Sequence, residues 1–398
     1  MPLWSVGSSW ELSKEKFYKI KSIPFLKLRL TDGYNGNVAN AAYAITTASA
    51  GIINPYGAPT IYLNNPPNSQ LRWETVHIIN MGVDFAVYKV VQASVEYYLK
   101  NGNNLIGTSP IDPTSGITQF TGNTANIKGH GVDVKLQTIN IDRSFKWVTN
   151  FLFSYTTDKV TQYLLQPQIL TDLIVSNNPR QGYPLYSIYS FQFAGLDPQT
   201  GGPRVYLNKS VSGDYAQILT STNLNNAIYN GPANPTYFGS FRNTFSYKQV
   251  SLSCNITYKL KYYFRRPSIN YGQLFGGTAM GNQDYEKRWQ KPGDEKFTNV
   301  PSMVYPDNSI SDLVYSYSNI LVDKGDHIRL QDIRLSYDIV GKKVGGMPIQ
   351  LIRVYVYANN LGILWKANKD NIDPDVLINQ SFVYPNPKTL AIGINVNF

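Results

Sequence analysis

Apolar and polar residues alternate one by one over several segments of the chain. From Ile79 to Val87 every second residue is apolar, and the positions between them include Asn80, Gly82 and Asp84. The same period of two recurs in residues 26–31, 91–98, 332–339, 352–357 and 390–398. Successive side chains of a β-strand point to opposite faces, whereas a helix repeats about every 3.6 residues. The pattern therefore predicts strands, each with one apolar and one polar face.

The links between these segments are short on one side and long on the other. Short links lie around residues 89–90, 142–145 and 247–249. Long, polar and glycine-rich links lie at 35–70, 108–124, 164–183, 209–237, 267–323 and 365–385. This asymmetry is typical of a transmembrane β-barrel, in which the short turns are periplasmic and the long loops extracellular. We predict an all-β, antiparallel and partial transmembrane barrel of about 13 strands that ends at Phe398.

Composition favours strands and turns over helices. Only 16% of the 398 residues are charged, and 13% are aromatic. Aromatic residues recur near predicted strand ends, as Trp73, Trp147 and Trp365 do, where a membrane interface would need them. The formal charge is +10, but the Lys and Arg residues are scattered singly. Nucleic-acid binding is therefore not favoured.

The sequence carries no recognisable catalytic or metal-binding motif. Its three histidines and its single cysteine lie far apart along the chain: His77, His130, His327 and Cys254. No nucleophile elbow, zinc-protease motif or glycine-rich phosphate loop occurs. The acidic string Asp370, Asp373 and Asp375 could hold calcium but lacks the glycine and terminal glutamate of an EF-hand loop, so we interpret it as a solvated turn. We predict no enzymatic activity, no cofactor and no metal site.

Nine strings of residues, in order along the chain, carry a more specific signal. They are Trp73 to Thr75 (WET), Asn80 to Phe85 (NMGVDF), Lys128 to Val132 (KGHGV), Phe145 to Phe151 (FKWVTNF), Phe193 to Pro198 (FAGLDP), Arg288 to Asp294 (RWQKPGD), Ile328 to Tyr337 (IRLQDIRLSY), Val354 to Leu361 (VYVYANNL) and Tyr384-Pro385. Together they resemble the barrel of SusC/RagA-type TonB-dependent outer-membrane receptors over nearly the whole chain.

The resemblance implies a barrel of roughly 22 strands, plugged by an N-terminal domain and located in the outer membrane. We expect residues 1–398 to be the C-terminal portion of such a barrel, with the plug and N-terminal strands absent because of a truncated frame, a gene fragment or a split gene. The implied partners are a SusD-like surface lipoprotein, TonB through the missing plug, the barrel-assembly machinery, outer-membrane lipid and a glycan or peptide substrate.

Candidate ligand contacts follow from side-chain chemistry, since arginines suit carboxylates and aromatic faces suit sugar rings. The candidates in loops or on the lumen face are Arg288, Trp289, Arg334, Arg353, Tyr355 and Trp365. For each one, the alternative is an interfacial aromatic or a wall charge paired with a neighbour. By the resemblance, Phe398 would be the C-terminal signal for barrel assembly.

Two other classes of protein stay open at the level of the sequence. A secreted all-β module, either carbohydrate-binding or adhesin-like, would bury its apolar faces and stay soluble without detergent. A hydrolase on a β-scaffold would need a pair of catalytic carboxylates, and the sequence nominates none.

Overall fold

One antiparallel sheet of 11 strands dominates the structure, which is a computed structural model. The structure describes residues 2–37, 44–51, 59–110, 112, 114, 117, 119–278, 282–344, 347–378, 381–382 and 384–397. The strands of the sheet are β1 (Trp4–Trp10), β2 (Phe25–Asn37), β3 (Glu74–Val87), β4 (Val91–Pro110), β5 (Gln119–Asp142), β6 (Phe145–Tyr163), β7 (Tyr237–Tyr247), β8 (Val250–Leu260), β9 (His327–Val344), β10 (Met347–Lys366) and β11 (Thr389–Asn397). They lie side by side in this order, and within the described residues the sheet is open at β1 and β11.

The links between the strands have the predicted asymmetry. Residues 88–90, 143–144 and 248–249 close three hairpins on one side of the sheet. At the first of these links, Tyr88 and Lys89 have φ angles of 48° and 60°, as in the type I′ turn that matches the twist of a hairpin. On the other side, the long connections include residues 164–236, 261–326 and 367–388. The predicted fold class, an antiparallel barrel with short turns and long loops, is confirmed.

The number of strands in the sheet differs from the predicted value of about 13. The region between the predicted loops 164–183 and 209–237 does not join the sheet. Its short strands pair outside the sheet: Ser187–Phe191 pairs with Ala227–Pro232 of the predicted loop 209–237, and Phe193–Leu196 pairs with Pro203–Leu207, which also pairs with Ser210–Ser212 of that loop. A strand of about five residues is too short to cross a bilayer, which takes about 9–11. The alternation of residues did not distinguish these loop strands from wall strands.

The remaining elements are short. Further strand pairs are Thr47–Gly51 with Thr60–Asn65, Tyr263–Arg265 with Val322–Lys324, and Leu377–Ile378 with Ser381–Phe382. The helices are α1 (Leu170–Ile174), α2 (Tyr215–Leu219), α3 (Tyr271–Phe275) and α4 (Ser309–Ser316). The 3₁₀ turns are Leu12–Lys14, Leu224–Asn226, Gln283–Lys287, Asp294–Lys296, Asn319–Leu321 and Pro374–Val376. In the part of the chain that the structure describes, every helix is too short or too polar to cross a membrane.

The two faces of the sheet differ in the way that the alternation predicts. Register places Val132 opposite Tyr155 on the apolar face, and Asp133 opposite Ser154 on the polar face. Large side chains on the apolar face stay exposed, as Ile392 does at 74%. A soluble sandwich would pack such a face against a second sheet. Apart from Val160, the large apolar residues described as buried all lie in the connections 164–236 and 261–326.

Candidate functional site

Ion pairs between neighbouring strands line the polar face. Arg29 of β2 reaches across the sheet, and its guanidinium lies 2.7 Å from a carboxylate oxygen of Asp84 in β3 and 2.7 Å from one of Glu96 in β4. A Cβ atom on Gly82 would come within 2.9 Å of this guanidinium, so glycine leaves room for it. Such groups would be costly in a hydrocarbon environment, which indicates that this face lines an aqueous lumen.

Three of the predicted contact residues lie on this polar face. The guanidinium of Arg334 stacks over the ring of Tyr355, 4.1 Å from its centroid. Arg353 donates two hydrogen bonds of 2.6 Å to the carboxylate of Asp338. The ring of Tyr355 also covers Gly393 of β11, where any Cβ would collide with it. The structure therefore brings Arg334 and Tyr355 into contact and pairs Arg353 with a neighbouring wall residue, while their role in binding a ligand stays a prediction.

A second ionic cluster on the polar face contains a carboxylate that is 3% exposed, that of Asp332 in β9. Its Oδ2 accepts hydrogen bonds from Arg242 Nη2 at 2.9 Å and from Asn255 Nδ2 at 3.0 Å. The Oδ1 atoms of Asp332 and Asn255 are buried without a partner among the described residues. The alternation predicts that Asp332 lies on the polar face, but it does not predict this cluster, because the members come from three strands whose register the sequence does not reveal.

The connection 367–388 is anchored through its aspartates to the long-loop end of the sheet, which we call the mouth. Asp373 receives two hydrogen bonds of 2.6 Å from Arg329, and an oxygen of Asp375 lies 2.7 Å from Lys259 Nζ. Asp370 lies 3.0 Å from Arg266. These carboxylates are bound to cationic side chains, so the predicted solvated turn is instead an anchored one. In the described part of the chain, no three His, Cys, Asp or Glu side chains are grouped to hold a metal ion.

Electrostatics at this mouth shifts two carboxyl groups in opposite directions. Burial favours the neutral form of Asp375, but hydrogen bonds from His327 and Lys259 outweigh it and lower the pKa of Asp375 well below its usual range. Burial also acts on Asp323, and there the adjacent carboxyl of Asp370 adds to it, so the pKa of Asp323 rises to about 6. The two shifts mark a tightly packed charged surface on the long-loop side of the sheet.

The connections 164–236 and 261–326 fold together into what we call the loop unit. It has two hydrophobic clusters: Leu170, Leu173, Ile174, Tyr189, Phe191, Val205, Leu207, Ile218 and Val314 form the first, and Ile269, Tyr271, Val300, Tyr315 and Leu321 form the second. Val314 belongs to the later connection but packs in the first cluster. The loop unit is therefore a folded body with its own cores, on the long-loop side of the sheet.

A buried arginine ties the two parts of the loop unit together. The guanidinium of Arg265 donates hydrogen bonds to the backbone oxygen of Tyr189 at 2.6 Å and to that of Ser318 at 3.1 Å. It also bonds Ser190 Oγ at 3.0 Å and stacks on Tyr317. Burial lowers the pKa of Arg265 to about 10, so the side chain stays charged at neutral pH. The sequence gives no sign of this role, because the partners of Arg265 are far away in the chain.

The remaining predicted contact residues lie elsewhere. Trp289 is only 7% exposed and packs over Gly201 in the loop unit. The guanidinium of Arg288 stacks on Tyr285, 4.0 Å from its ring centroid, and Arg288 lines a cleft of about 450 Å³. Trp365 was predicted both at a strand end and as a loop contact; it lies near the end of β10, opposite Ile328 on the apolar face, and not in a loop. Its position is that of an interfacial aromatic. Phe398 lies outside the described residues.

An open antiparallel sheet with an exposed apolar face, an ion-paired polar face, short turns on one side and long loops on the other defines a segment of an outer-membrane β-barrel. Comparison with known proteins agrees. The "TonB-dependent receptor P26" of Formosa agariphila is 25% identical over 99% of this chain and 42% of its own length, and "TonB-dependent receptor P3" of the same bacterium is 23% identical over 98% and 41%. The chain thus spans about two fifths of the curated relatives that it matches.

Solved structures show the same fold. The RagAB peptide importer in its closed-closed state superposes with a TM-score of 0.75, at 21% identity over 100% of this chain and 43% of that chain. The RagAB peptide transporter gives 0.74 at 20% identity, over 100% of this chain and 43% of that chain. No profile of a protein family matches the sequence. The chain is thus similar in sequence to TonB-dependent receptors and shares the fold of the RagAB peptide importer, which supports the predicted resemblance to the SusC/RagA type and a place in the outer membrane.

Proposed function

We propose that this chain is the C-terminal portion of the barrel of an importer that takes up oligosaccharides or peptides together with a SusD-like surface lipoprotein. The observation that carries the proposal is the folded loop unit, which has its own hydrophobic clusters on the long-loop side of a wall that presents ion pairs on its polar face. A rigid body at the mouth and a hydrophilic wall beneath it suit a polymer-like, polar cargo better than an apolar one.

The wall offers the chemistry that such a cargo needs. The stacked pair Arg334 and Tyr355 presents a cation and an aromatic ring on the polar face. A cleft of about 320 Å³ at the mouth is lined by Arg329, Asn359 and Asn360 among others. Amide and guanidinium groups can bond sugar hydroxyls or peptide carbonyls, so both cargo classes fit, and the glycan remains our first choice.

Exposed apolar side chains on the long-loop side support a protein partner. Tyr305 of the loop unit is 81% exposed, and Phe297 and Tyr384 also point into solvent. Aromatic residues are enriched in protein–protein interfaces. A lipoprotein seated on these loops would cover their aromatic rings. The similarity of the fold to the RagAB peptide importer is in keeping with such an assembly.

The remaining parts of the receptor complete the proposal. A barrel of this size class has about 22 strands and a plug. An open sheet would leave unpaired backbone groups at β1 and β11, each costing several kcal/mol in lipid. We propose that the plug, its contact with TonB and the first strands come from the part of the receptor that precedes this portion.

Deletion of the receptor gene in the source bacterium tests the function. We expect loss of growth on particular oligosaccharides, or on peptides, as the only nutrient, restored by the intact gene. Purification of the tagged receptor in detergent should recover a surface lipoprotein. Unchanged uptake of both cargo classes would contradict the proposal, and a chain that is secreted and soluble without detergent would favour the carbohydrate-binding or adhesin-like module.

Substitutions on the two faces of the wall test the contact residues. Replacing both Arg334 and Tyr355 by Ala should lower uptake, because the cation and the aromatic ring on the polar face are lost. Trp365→Leu, on the apolar face of the strand that carries Tyr355, serves as the matched control and should leave uptake unchanged. Uptake at the wild-type level in both variants would show that Arg334 and Tyr355 only line the wall.

A further inference from the structure

Two lysines face outward beside each other on the apolar face. Lys128 of β5 and Lys159 of β6 are directly opposite in the register. They share the parity of Val132 and Tyr155, which are on the apolar face of the same two strands. Both lysines are exposed. Like charges directly opposite on adjacent strands repel each other, so this pair is unfavourable unless an anion lies nearby.

The protein supplies no such anion among the described residues. The lysines that form ion pairs there are Lys14, Lys146, Lys259 and Lys287. The carboxylate closest in sequence, that of Asp158, has the opposite parity and accepts a hydrogen bond from the backbone N–H of Leu185 at 2.8 Å. The paired positive charge therefore faces outward without compensation.

The depth of the lysines on β6 matches the headgroup layer. From Phe145 to Tyr155 the apolar residues span ten steps of about 3.3 Å, which at a tilt of about 40° gives an apolar band about 25 Å tall, as in outer-membrane barrels. Tyr155 lies 5.1 Å, centroid to centroid, from Tyr237 and marks the upper edge of this band. Lys159 is four residues further on, about 10 Å above that edge.

The outward face changes character at the same level. Beyond the lysines, the next outward pair is Asn126 and Gln162, which hydrogen-bond to each other at 2.8 Å. A third lysine, Lys261, places its Nζ 5.7 Å from the ring centroid of Tyr237 at the upper edge of the apolar band. Between the aromatic level and the lysines, the outward pair is His130 and Thr157. The layers in order are thus apolar, aromatic, this polar pair, cationic and then polar amide.

We propose that Lys128 and Lys159 form a docking site for the phosphate-bearing headgroup of a glycolipid in the outer leaflet. A lipid is the occupant that can place an anion at this depth while its acyl chains cover the apolar face directly below. One phosphate between two ammonium groups would turn the repulsion of the pair into two charge-assisted hydrogen bonds. The site lies on the outer wall, away from the lumen, and is independent of the proposed transport function.

Binding of a defined lipid to the intact receptor tests the proposal. The receptor is purified in detergent and stripped of lipid, and the probe is lipid A with both phosphates. Each lysine near an anionic lipid surface contributes about fivefold to affinity, so Lys128→Gln with Lys159→Gln should weaken binding about 25-fold, and each single variant about fivefold. Lys128→Arg with Lys159→Arg should keep most of the affinity, because the charges remain.

Controls separate this site from general charge effects. Lys209→Gln with Lys291→Gln removes the same charge from exposed positions of the loop unit and should leave binding unchanged. Dephosphorylated lipid A should bind wild-type receptor as weakly as the double variant binds the phosphorylated lipid. Equal binding by wild type and the double variant would overturn the proposal, and so would equal binding of dephosphorylated lipid or full competition by inorganic phosphate alone. Since no cargo is present, failure here leaves the import proposal untouched.

Discussion

At the scale of single residues, the loop unit depends on a glycine that sequence analysis did not single out. Gly201 has a φ of 69°, and a Cβ there would overlap the ring of Trp289. Gly182 has a φ of 91° but nothing within 4 Å of such a Cβ. The two positions therefore share the backbone restriction and differ only in packing.

We predict that Gly201→Ala destabilises the loop unit by about 1–3 kcal/mol more than Gly182→Ala, because only the first variant overpacks the tryptophan. Hydrogen exchange of peptides from residues 164–236 and 261–326 measures the free energy of local opening. Equal losses in the two variants would mean that the contact with Trp289 contributes nothing beyond backbone strain.

A second residue-scale prediction concerns pH. Burial and the neighbouring carboxyl of Asp370 raise the pKa of Asp323 to about 6, against about 4 in an unfolded chain. The folded state therefore binds this proton more tightly, and the resulting stability is complete below about pH 4 and lost as the pH rises through 6. The lowered pKa of Asp375 changes the free energy of unfolding only below about pH 4, outside this range.

We expect the thermal unfolding midpoint of wild type, relative to Asp323→Asn, to rise as the pH falls from 7 to 5. The variant carries a neutral amide at this position and lacks that proton linkage. Midpoints measured at both pH values for both proteins provide the comparison. A parallel shift of the two proteins would contradict the raised pKa.

Residue parity explains which contact residues could be placed from the sequence. Arg334, Arg353 and Tyr355 lie on the polar face as predicted, because a strand fixes the direction of each side chain. Trp289 could not be placed, since its surroundings depend on Gly201 in another connection. Trp365 received two predictions from the sequence, a strand-end aromatic and a loop residue, because a tryptophan at the boundary of a strand suits both, and its position in β10 agrees with the first.

At the scale of elements, the alternation places neighbouring apolar residues of a strand on opposite faces, so that one faces lipid and the next faces the lumen. Phe151 lies on the apolar face of β6, opposite Leu136, whereas Leu152 lies on the polar face, opposite Lys135. A cationic residue on the lipid face near the middle of the bilayer costs about 2–4 kcal/mol, and one in the lumen costs little. The sequence alone shows only three consecutive apolar residues here, 151–153.

We predict that Phe151→Lys strongly lowers the amount of folded receptor in the outer membrane, while Leu152→Lys is close to wild type. Heat-modifiable migration of the receptor extracted from outer membranes reports the folded fraction. The two variants carry the same charge change at adjacent positions, so each controls for the other. Comparable losses in both would contradict the assignment of faces on β6.

At the scale of the whole molecule, the sheet was accessible to sequence analysis and the loop unit was not. The apolar and polar alternation is local, so it predicted the wall strands and the asymmetry of their links. The clusters of the loop unit join residues of two separate connections, as Val314 shows. Contacts of this kind leave no period in the sequence, and for this reason the short strands of the region were counted as wall strands.

We predict that Arg265→Met loosens both halves of the loop unit together while the sheet stays folded. The substitution leaves the carbonyl oxygens of Tyr189 and Ser318 without their donor, at about 1–3 kcal/mol for each buried group. Limited proteolysis followed by mass spectrometry would locate the new cleavage sites. Arg143→Met, in an exposed two-residue link, is the control, and its connections 164–236 and 261–326 should be cleaved at the same sites as in wild type. Cleavage in only one connection would show that the two halves are not coupled through this side chain.

The strictly sequential order of the strands also predicts the order in which strand pairs form during folding. Hairpins β3–β4, β5–β6 and β7–β8 each require closure of only two or three residues, which is fast and loses little chain entropy. Joining β6 to β7 and β8 to β9 must wait until residues 164–236 and 261–326 bring their ends together. Pulse-labelled hydrogen exchange during refolding would then protect the hairpins before the junctions between them. The long connections therefore have a second effect besides forming the long-loop side of the sheet: their closure sets the rate at which the hairpins join into one sheet.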